Sequence, residues 1–193
     1  MMRRGIFVLT VVVLGLVGWF AAAAKAETFK IDDTHSSVVF RIKHMNVSYF
    51  YGRFNKIEGR FTLEDGDAAG NSIEIEVDAS SVDSKNEGRD RHLKSPDFFN
   101  AKQFKTITFK STAIKSAGEG KFEVTGDLTL HGVTKSVTVP VERVGKGPGR
   151  EGGTIAGFEA VFTVKRSEFG MEFMNGPLGD EVRLMVGIEG AAE

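Results

Sequence analysis

Four histidines, His35, His44, His92 and His131, are the residues of this chain best suited to hold a metal ion or move a proton. They fall on separate segments, without His-x-His or His-x-x-x-His spacing, and no cysteine is present to complete a ligand set. Zinc takes three or four convergent ligands. The spacing gathers none, so the histidines read as strand-end residues hydrogen-bonded through their ring nitrogens, and neither metal nor cofactor is expected. Nucleophilic catalysis finds no thiol and no Gly-x-Ser-x-Gly elbow. Gly147-Pro148-Gly149-Arg150-Glu151-Gly152 satisfies G-x-G-x-x-G, but a dinucleotide site needs that pattern between a strand and a helix. Here residues 137–144 and 155–164 both alternate as strands, so the glycines read as a hairpin loop. No catalytic residue is assigned, and the chain is not expected to be an enzyme.

Two other groups carry chemistry of a different kind. Arg89-Asp90-Arg91-His92 is the densest charged cluster. It reads either as a solvated helix face, with ion pairs worth under about 1 kcal/mol each, or as a polar rim where Arg89, Asp90 and His92 meet a ligand head group. Phe98, Phe99 and Phe104 follow directly, and Phe169, Met171, Phe173 and Met174 crowd a stretch containing Gly170, Gly176, Pro177 and Gly179. Such apolar bulk outside clean strands either plugs a core or lines an entrance for an oily molecule, a role that suits the adaptable methionine thioether.

The elements that must position these residues are strands. Period-two alternation recurs in eight runs: Val38–Ile42, Ile57–Leu63, Ile73–Val77, Ile107–Phe109, Phe122–Leu130, Val137–Val141, Phe158–Val164 and Val182–Ile188. Residues 64–71, 117–120 and His131-Gly132 read as hairpin turns. Alternation stops only over residues 84–103, where Ser95-Pro96-Asp97 predicts a short helix over Pro96–Asn100, with another turn of helix over Arg89–Lys94. Eight single-faced strands with short turns and one helical crossover predict an all-β, closed antiparallel barrel or, failing that, a sandwich. By parity, Phe40, Phe61, Ile75, Phe109, Phe122, Leu128, Phe158, Phe162 and Leu184 point inward. Alternation does not decide whether they meet one another or a guest.

Composition sets the setting. Arg3 and Arg4, the uncharged run from Ile6 to Ala24, and Ala24-Lys25-Ala26 read as a cleaved signal peptide over residues 1–26, leaving a domain over residues 27–193. The alternative is an uncleaved anchor of near-spanning length. Cleavage removes three cations and no acid, taking the net charge from −1 to −4; a mildly acidic protein has no electrostatic case for nucleic acid. Export without cysteine means that packing alone must hold the fold.

The residues also match a pattern. Asp33-Thr34-His35-Ser36, His44 and Gly52-x-Phe54 resemble the opening of the YceI-like family. Ser81-Val82-Asp83, Arg89-Asp90-x-His92-Leu93 and Asp97-Phe98-Phe99 are similar to its middle, as is the run Gly126–Lys135. Gly157-Phe158, Arg166-Ser167-x-Phe169-Gly170-Met171 and Gly179-Asp180-Glu181-Val182 resemble its close. The resemblance implies a lipocalin-like, eight-stranded antiparallel barrel in the bacterial periplasm, an elongated cavity for a polyisoprenoid or other long-chain lipid, often a homodimer, and no catalytic residues. Under that reading Phe40, Phe61, Ile75, Phe98, Phe99, Phe104, Phe109, Phe122, Leu128, Phe158, Phe162, Phe169, Met171, Phe173 and Leu184 line the cavity. Arg89, Asp90 and His92 sit at its mouth, and transient membrane contact is expected. Two rivals stay open: a structural adaptor with a filled barrel, and a small exported metal-dependent hydrolase.

Overall fold

The computed structural model describes residues 26–65, 70–150 and 152–193; the expected signal peptide, apart from its last residue, lies outside them. Eleven strand segments form one antiparallel sheet: β1 (Phe29–Ile31), β2 (Ser37–His44), β3 (Ser48–Phe54), β4 (Ile57–Thr62), β5 (Ser72–Asp78), β6 (Val82–Asp83), β7 (Thr106–Gly118), β8 (Lys121–Leu130), β9 (Val133–Pro148), β10 (Thr154–Lys165) and β11 (Leu178–Ala192). They amount to eight barrel strands. β1 and β2 are two halves of one bent strand, both paired along β11; β3 and β4 are halves of the next. From there each strand pairs with its successor, and β11 returns to β1 and β2, closing the barrel. The expected eight-stranded antiparallel barrel is the fold, and closure leaves few exposed edges.

Alternation produces this because inward positions are hydrocarbon on every strand. On β8, Phe122, Val124, Leu128 and Leu130 are buried while Lys121, Glu123 and Asp127 are exposed. The His131-Gly132 turn is a two-residue hairpin with both φ values positive, 53° and 75°, as a type I′ turn requires. The sequence misses β1, β3 and the two-residue β6. In β3, Tyr49 and Tyr51 face out while Phe50 and Phe54 face in, so large aromatics on both faces hide the alternation.

The crossover after β5 also differs from expectation. The helix α1 is Glu87–Leu93, capped by Asn86, whose side chain accepts from the Arg89 amide. Pro96–Asn100 is a chain of turns, not a helix. The amides of Phe99, Asn100 and Ala101 bond back to the carbonyls of Leu93, Ser95 and Lys94. Those bonds satisfy the end of α1 and pin Phe98 and Phe99 against the barrel, which a second helix would not do. Because β5 pairs with β4, the edge of β3 that faces away from β2 finds a neighbour only at its Phe54 end, β6. Beyond it, α1 and the Phe98–Phe99 turns stand between β3 and β7 and widen that half of the barrel.

Candidate functional site

One end of the barrel is sealed. Phe29 and Phe61, partners across β1 and β4, stack with ring centroids 5.2 Å apart, and Phe61 meets Phe158 edge-on at 5.0 Å. Phe122, Val124 and Ile73 fill the same end, all essentially without solvent exposure. Gly190 allows the approach: a Cβ there would stand 2.8 Å from the Phe61 ring.

The other half encloses a cavity of ≈ 460 Å³, within the range of about 300–1,000 Å³ typical of small-ligand sites. Its floor is Phe158, Ile73, Val139 and Val141, directly above the plug. Its walls include Phe40, Phe54, Phe109, Phe162 and Leu184 from the strands and Leu93, Phe98 and Phe99 from the crossover. Phe40 lies flat over Gly52, its strand partner; a Cβ on Gly52 would be 2.3 Å from the ring, so any larger residue would push that wall inward. The opening lies between the β2–β3 hairpin (His44, Ser48, Tyr49), α1 (Arg89, His92) and the start of β11 with the segment before it (Leu178, Met174).

The mouth is built by polar contacts. The Asp90 carboxylate accepts from the Ser84 amide at 2.8 Å and the Ser84 hydroxyl at 2.5 Å. Arg89 donates to the Ser84 hydroxyl at 2.9 Å and its carbonyl at 2.6 Å. This anchors the guanidinium 4.3 Å from the Phe50 ring centre, at the cavity's edge. No carboxylate pairs with Arg89 among the described residues, and it borders the cavity. The His92 ring is 2.8 Å from the Asp97 carboxylate and meets Phe98 and Phe173 edge-on.

Arg166 was not assigned from sequence. It is buried, borders the cavity, and donates to the carbonyls of Gly179 at 2.9 Å, Met171 at 2.5 Å and Leu178 at 3.2 Å. It thereby ties down the segment between β10 and β11. Burial lowers its pKa, opposed by the charges of Asp180 and Glu172. Desolvation pushes the Asp180 carboxyl up, but the Ser167 amide and hydroxyl and the Arg166 charge outweigh it, leaving the group below its ordinary value. An arginine closing an apolar strand was the available signal.

Of the residues expected at the cavity wall, Phe40, Ile75, Phe98, Phe99, Phe109, Leu128, Phe158, Phe162, Met171 and Leu184 border it, with Arg89 and His92 at the mouth. The other six lie elsewhere. Phe61 and Phe122 belong to the plug, where strand ends converge and no space remains. Phe169 is buried with Leu130 and Val164 in a satellite cluster, its carbonyl accepting from His131 Nδ1 at 3.0 Å. Phe104 packs edge-on against His131, over Gly132. Phe173 lies outside against Phe98. Asp90 turns to Ser84 and acts as scaffold for Arg89. Parity missed Phe50 and Phe54, which also border the cavity.

The histidines stay apart in function. Among the described residues the metal-ligating groups that converge are Asp32 and His35 of the bend between β1 and β2 and Glu189 of β11, a partly exposed cluster outside the cavity lining. The hydrogen bond to Asp32, then the charges of Asp32 and Glu189, raise the His35 pKa. No serine hydroxyl is hydrogen-bonded to a histidine ring among the described residues.

The comparisons agree with this architecture. The YceI-like domain model matches residues 29–190. A UPF0312 protein of Pseudomonas aeruginosa (strain LESB58) is 39% identical over 184 residues, covering 94% of this chain and 96% of that one. Among solved structures, BcnA of Burkholderia cenocepacia superposes with a TM-score of 0.76 at 30% identity, covering 83% of this chain and 99% of that one. A polyisoprenoid binding domain from Saccharophagus degradans, implicated in plant cell wall breakdown, shares the fold at a TM-score of 0.64 and 14% identity, covering 88% and 100% of the two chains. The chain belongs to the YceI-like family.

Proposed function

We propose that this member of the YceI-like family is a periplasmic carrier that holds a polyisoprenoid or another long-chain lipid in its barrel and catalyses no reaction on it. One observation carries the reading: a cavity walled almost wholly by hydrocarbon, sealed at one end and open at the other beside Arg89, a cation with no carboxylate partner among the described residues. Removing hydrocarbon from water contributes about 0.8 kcal/mol per CH₂, so a guest of some 20 carbons gains roughly 16 kcal/mol gross. Ordering the guest and losing its translation offset about 4–15 kcal/mol of that. Such a gradient discriminates poorly along the tail, so head-group choice falls to the mouth, where Arg89 and His92 suit an acidic or hydroxylated group. The polyisoprenoid-binding neighbour supports the ligand class through shared fold, and the open interior speaks against a filled-barrel adaptor. Export rests on the segment over residues 1–26, and a homodimer rests on the resemblance alone.

Native mass spectrometry of the processed protein, followed by organic extraction, tests the reading. The expected result is an intact mass lacking residues 1–26, no tryptophan emission because Trp19 is the sole tryptophan, a subunit count of two, and a bound long-chain lipid. Ala160, buried on the cavity wall, supplies the control: Ala160→Phe fills the space and removes the guest while the circular dichroism stays that of the barrel. An empty wild-type protein sinks the carrier idea.

A further inference from the structure

We propose that the rim of the open end is a docking surface for an anionic phospholipid bilayer. Eight large apolar or aromatic side chains are exposed among the described residues; all but Val144 lie at this end. Val47 is 83% exposed and Met45 51%, at the tip of the β2–β3 hairpin. The tip is held rigidly against the opposite rim: the Met45 amide donates to the Pro177 carbonyl at 2.7 Å, next to exposed Met174 and Phe173. Hairpin tip and facing segment are thereby joined into one lip beside the cavity mouth, its apolar side chains interrupted by the exposed Asn46, Glu172 and Asn175.

Behind the lip the outer barrel surface changes in order. Tyr49 and Lys43 are strand partners just behind the tip, and Tyr51 and Arg41 are partners two residues further on. Both tyrosines are exposed, and Arg41 lies 4.0 Å from the Tyr49 ring centre. Arg41 also stands directly opposite Arg183 across β2 and β11. Like charges in that position oppose each other, yet no carboxylate lies within ion-pair distance of Arg41, Lys43 or Arg183 among the described residues. The nearby acid Glu181 faces Lys165 instead. The Arg41 Nε is buried without a hydrogen-bond partner.

Apolar tip, then tyrosine, then arginine is the sequence of environments met on leaving a bilayer, from acyl chains through the interface to the phosphates. From Val47 to Tyr51 the strand rises about 13 Å, enough to seat the tip below the head groups with the cations level with them. The protein is acidic overall, so this local cationic face selects an anionic surface against the net charge. The surface borders the mouth along the β2–β3 hairpin and the segment before β11, so docking would bring the cavity opening to the lipid phase. The proposal deepens the carrier reading and rests on it for its purpose, though not for its measurement.

Vesicle flotation tests it, using processed protein whose amino terminus has been checked by intact mass. The expected result is flotation with vesicles of 30% phosphatidylglycerol in phosphatidylcholine, loss of flotation with phosphatidylcholine alone, and weakening as salt rises. Arg41→Glu combined with Arg183→Glu should weaken binding by more than about tenfold, since each basic residue near such a surface is worth roughly fivefold. Met45→Asp combined with Val47→Asp should weaken it at least as much, and neither pair borders the cavity, so a co-purified guest should remain. Conservative Val47→Leu keeps full binding and guards against misfolding as the cause. Equal binding to neutral vesicles, indifference to both variant pairs, or rim variants that dissociate a dimer and leave flotation unchanged overturns the proposal. Flotation by a protein carrying no extractable lipid would leave docking intact and remove the carrier reading alone.

Discussion

The two halves of this barrel are made of the same residues and behave oppositely. At the sealed end Phe29, Phe61, Phe122 and Ile73 close on one another until nothing remains between them. At the open end Phe40, Phe99, Phe109 and Phe162 face an unfilled space. Hydrophobicity does not separate the two, nor does strand parity. What separates them is the backbone. β1, β4 and β5 run side by side over the plug, whereas beyond Phe54 the sheet is parted by α1 and the turns that follow it. The plug is held by packed hydrocarbon. The mouth is held by hydrogen bonds, from Arg166 to three carbonyls, from Arg89 to Ser84 and from Ser84 to the Asp90 carboxylate. A polar frame keeps apolar walls apart that would otherwise collapse.

Truncating one phenylalanine in each half breaks or sharpens this contrast most directly. Phe61→Ala should cost about 4 kcal/mol, because it adds a cavity to the lost transfer energy. Phe109→Ala should cost only about 2 kcal/mol, mainly the transfer term, since its ring already borders empty space. Urea denaturation with an unchanged slope gives both values, and equal losses would mean that the halves are packed alike. Arg166→Leu should come between them at about 3 kcal/mol, through buried carbonyls left unbonded. Hydrogen exchange should rise over residues 170–179 and stay unchanged at the plug. The smallest effect lies at the β1–β2 bend. The raised His35 pKa means that its pairing with Asp32 is fully present below the unfolded value near 6.5 and lost as pH rises through the folded one. The lowered Asp32 pKa means that the contribution also fades as pH falls through that folded value. An NMR titration should place the His35 ring above 6.5, and Asp32→Asn should bring it down; an unmoved ring would show the pair to be absent in solution.

Much of the architecture was legible because inward residues announce themselves every second position, and each of the eight runs found in the sequence coincides with one of the eight barrel strands, Leu63 alone lying one residue past the end of β4. The halves β1 and β3 were not. Three residues are too few to alternate, and Tyr49 and Tyr51 face water while resembling core. The site was partly legible for the same reason. Parity tells that Phe61 and Phe109 both point in, but their heights along the axis decide plug or wall, and height depends on register and on the parting by α1. Asp90 shows a second limit: its charge suggested a ligand, and its geometry commits it to Ser84. Arg166 escaped because nothing local reveals that its partners are carbonyls 5, 12 and 13 residues away.

The seam of the barrel has a consequence for the order of assembly. β1 is zipped to the far end of β11, with Phe29 opposite Ala192 and the Glu193 amide bonded to the Thr28 carbonyl. Hairpins from β7 to β10 can form as neighbours while synthesis proceeds, but this join waits for residues near 190 to emerge. Until then the chain is an unfinished cylinder with one open seam. Removing the last four residues should therefore slow the final folding phase far more than the early ones, since only the longest loop closure is affected.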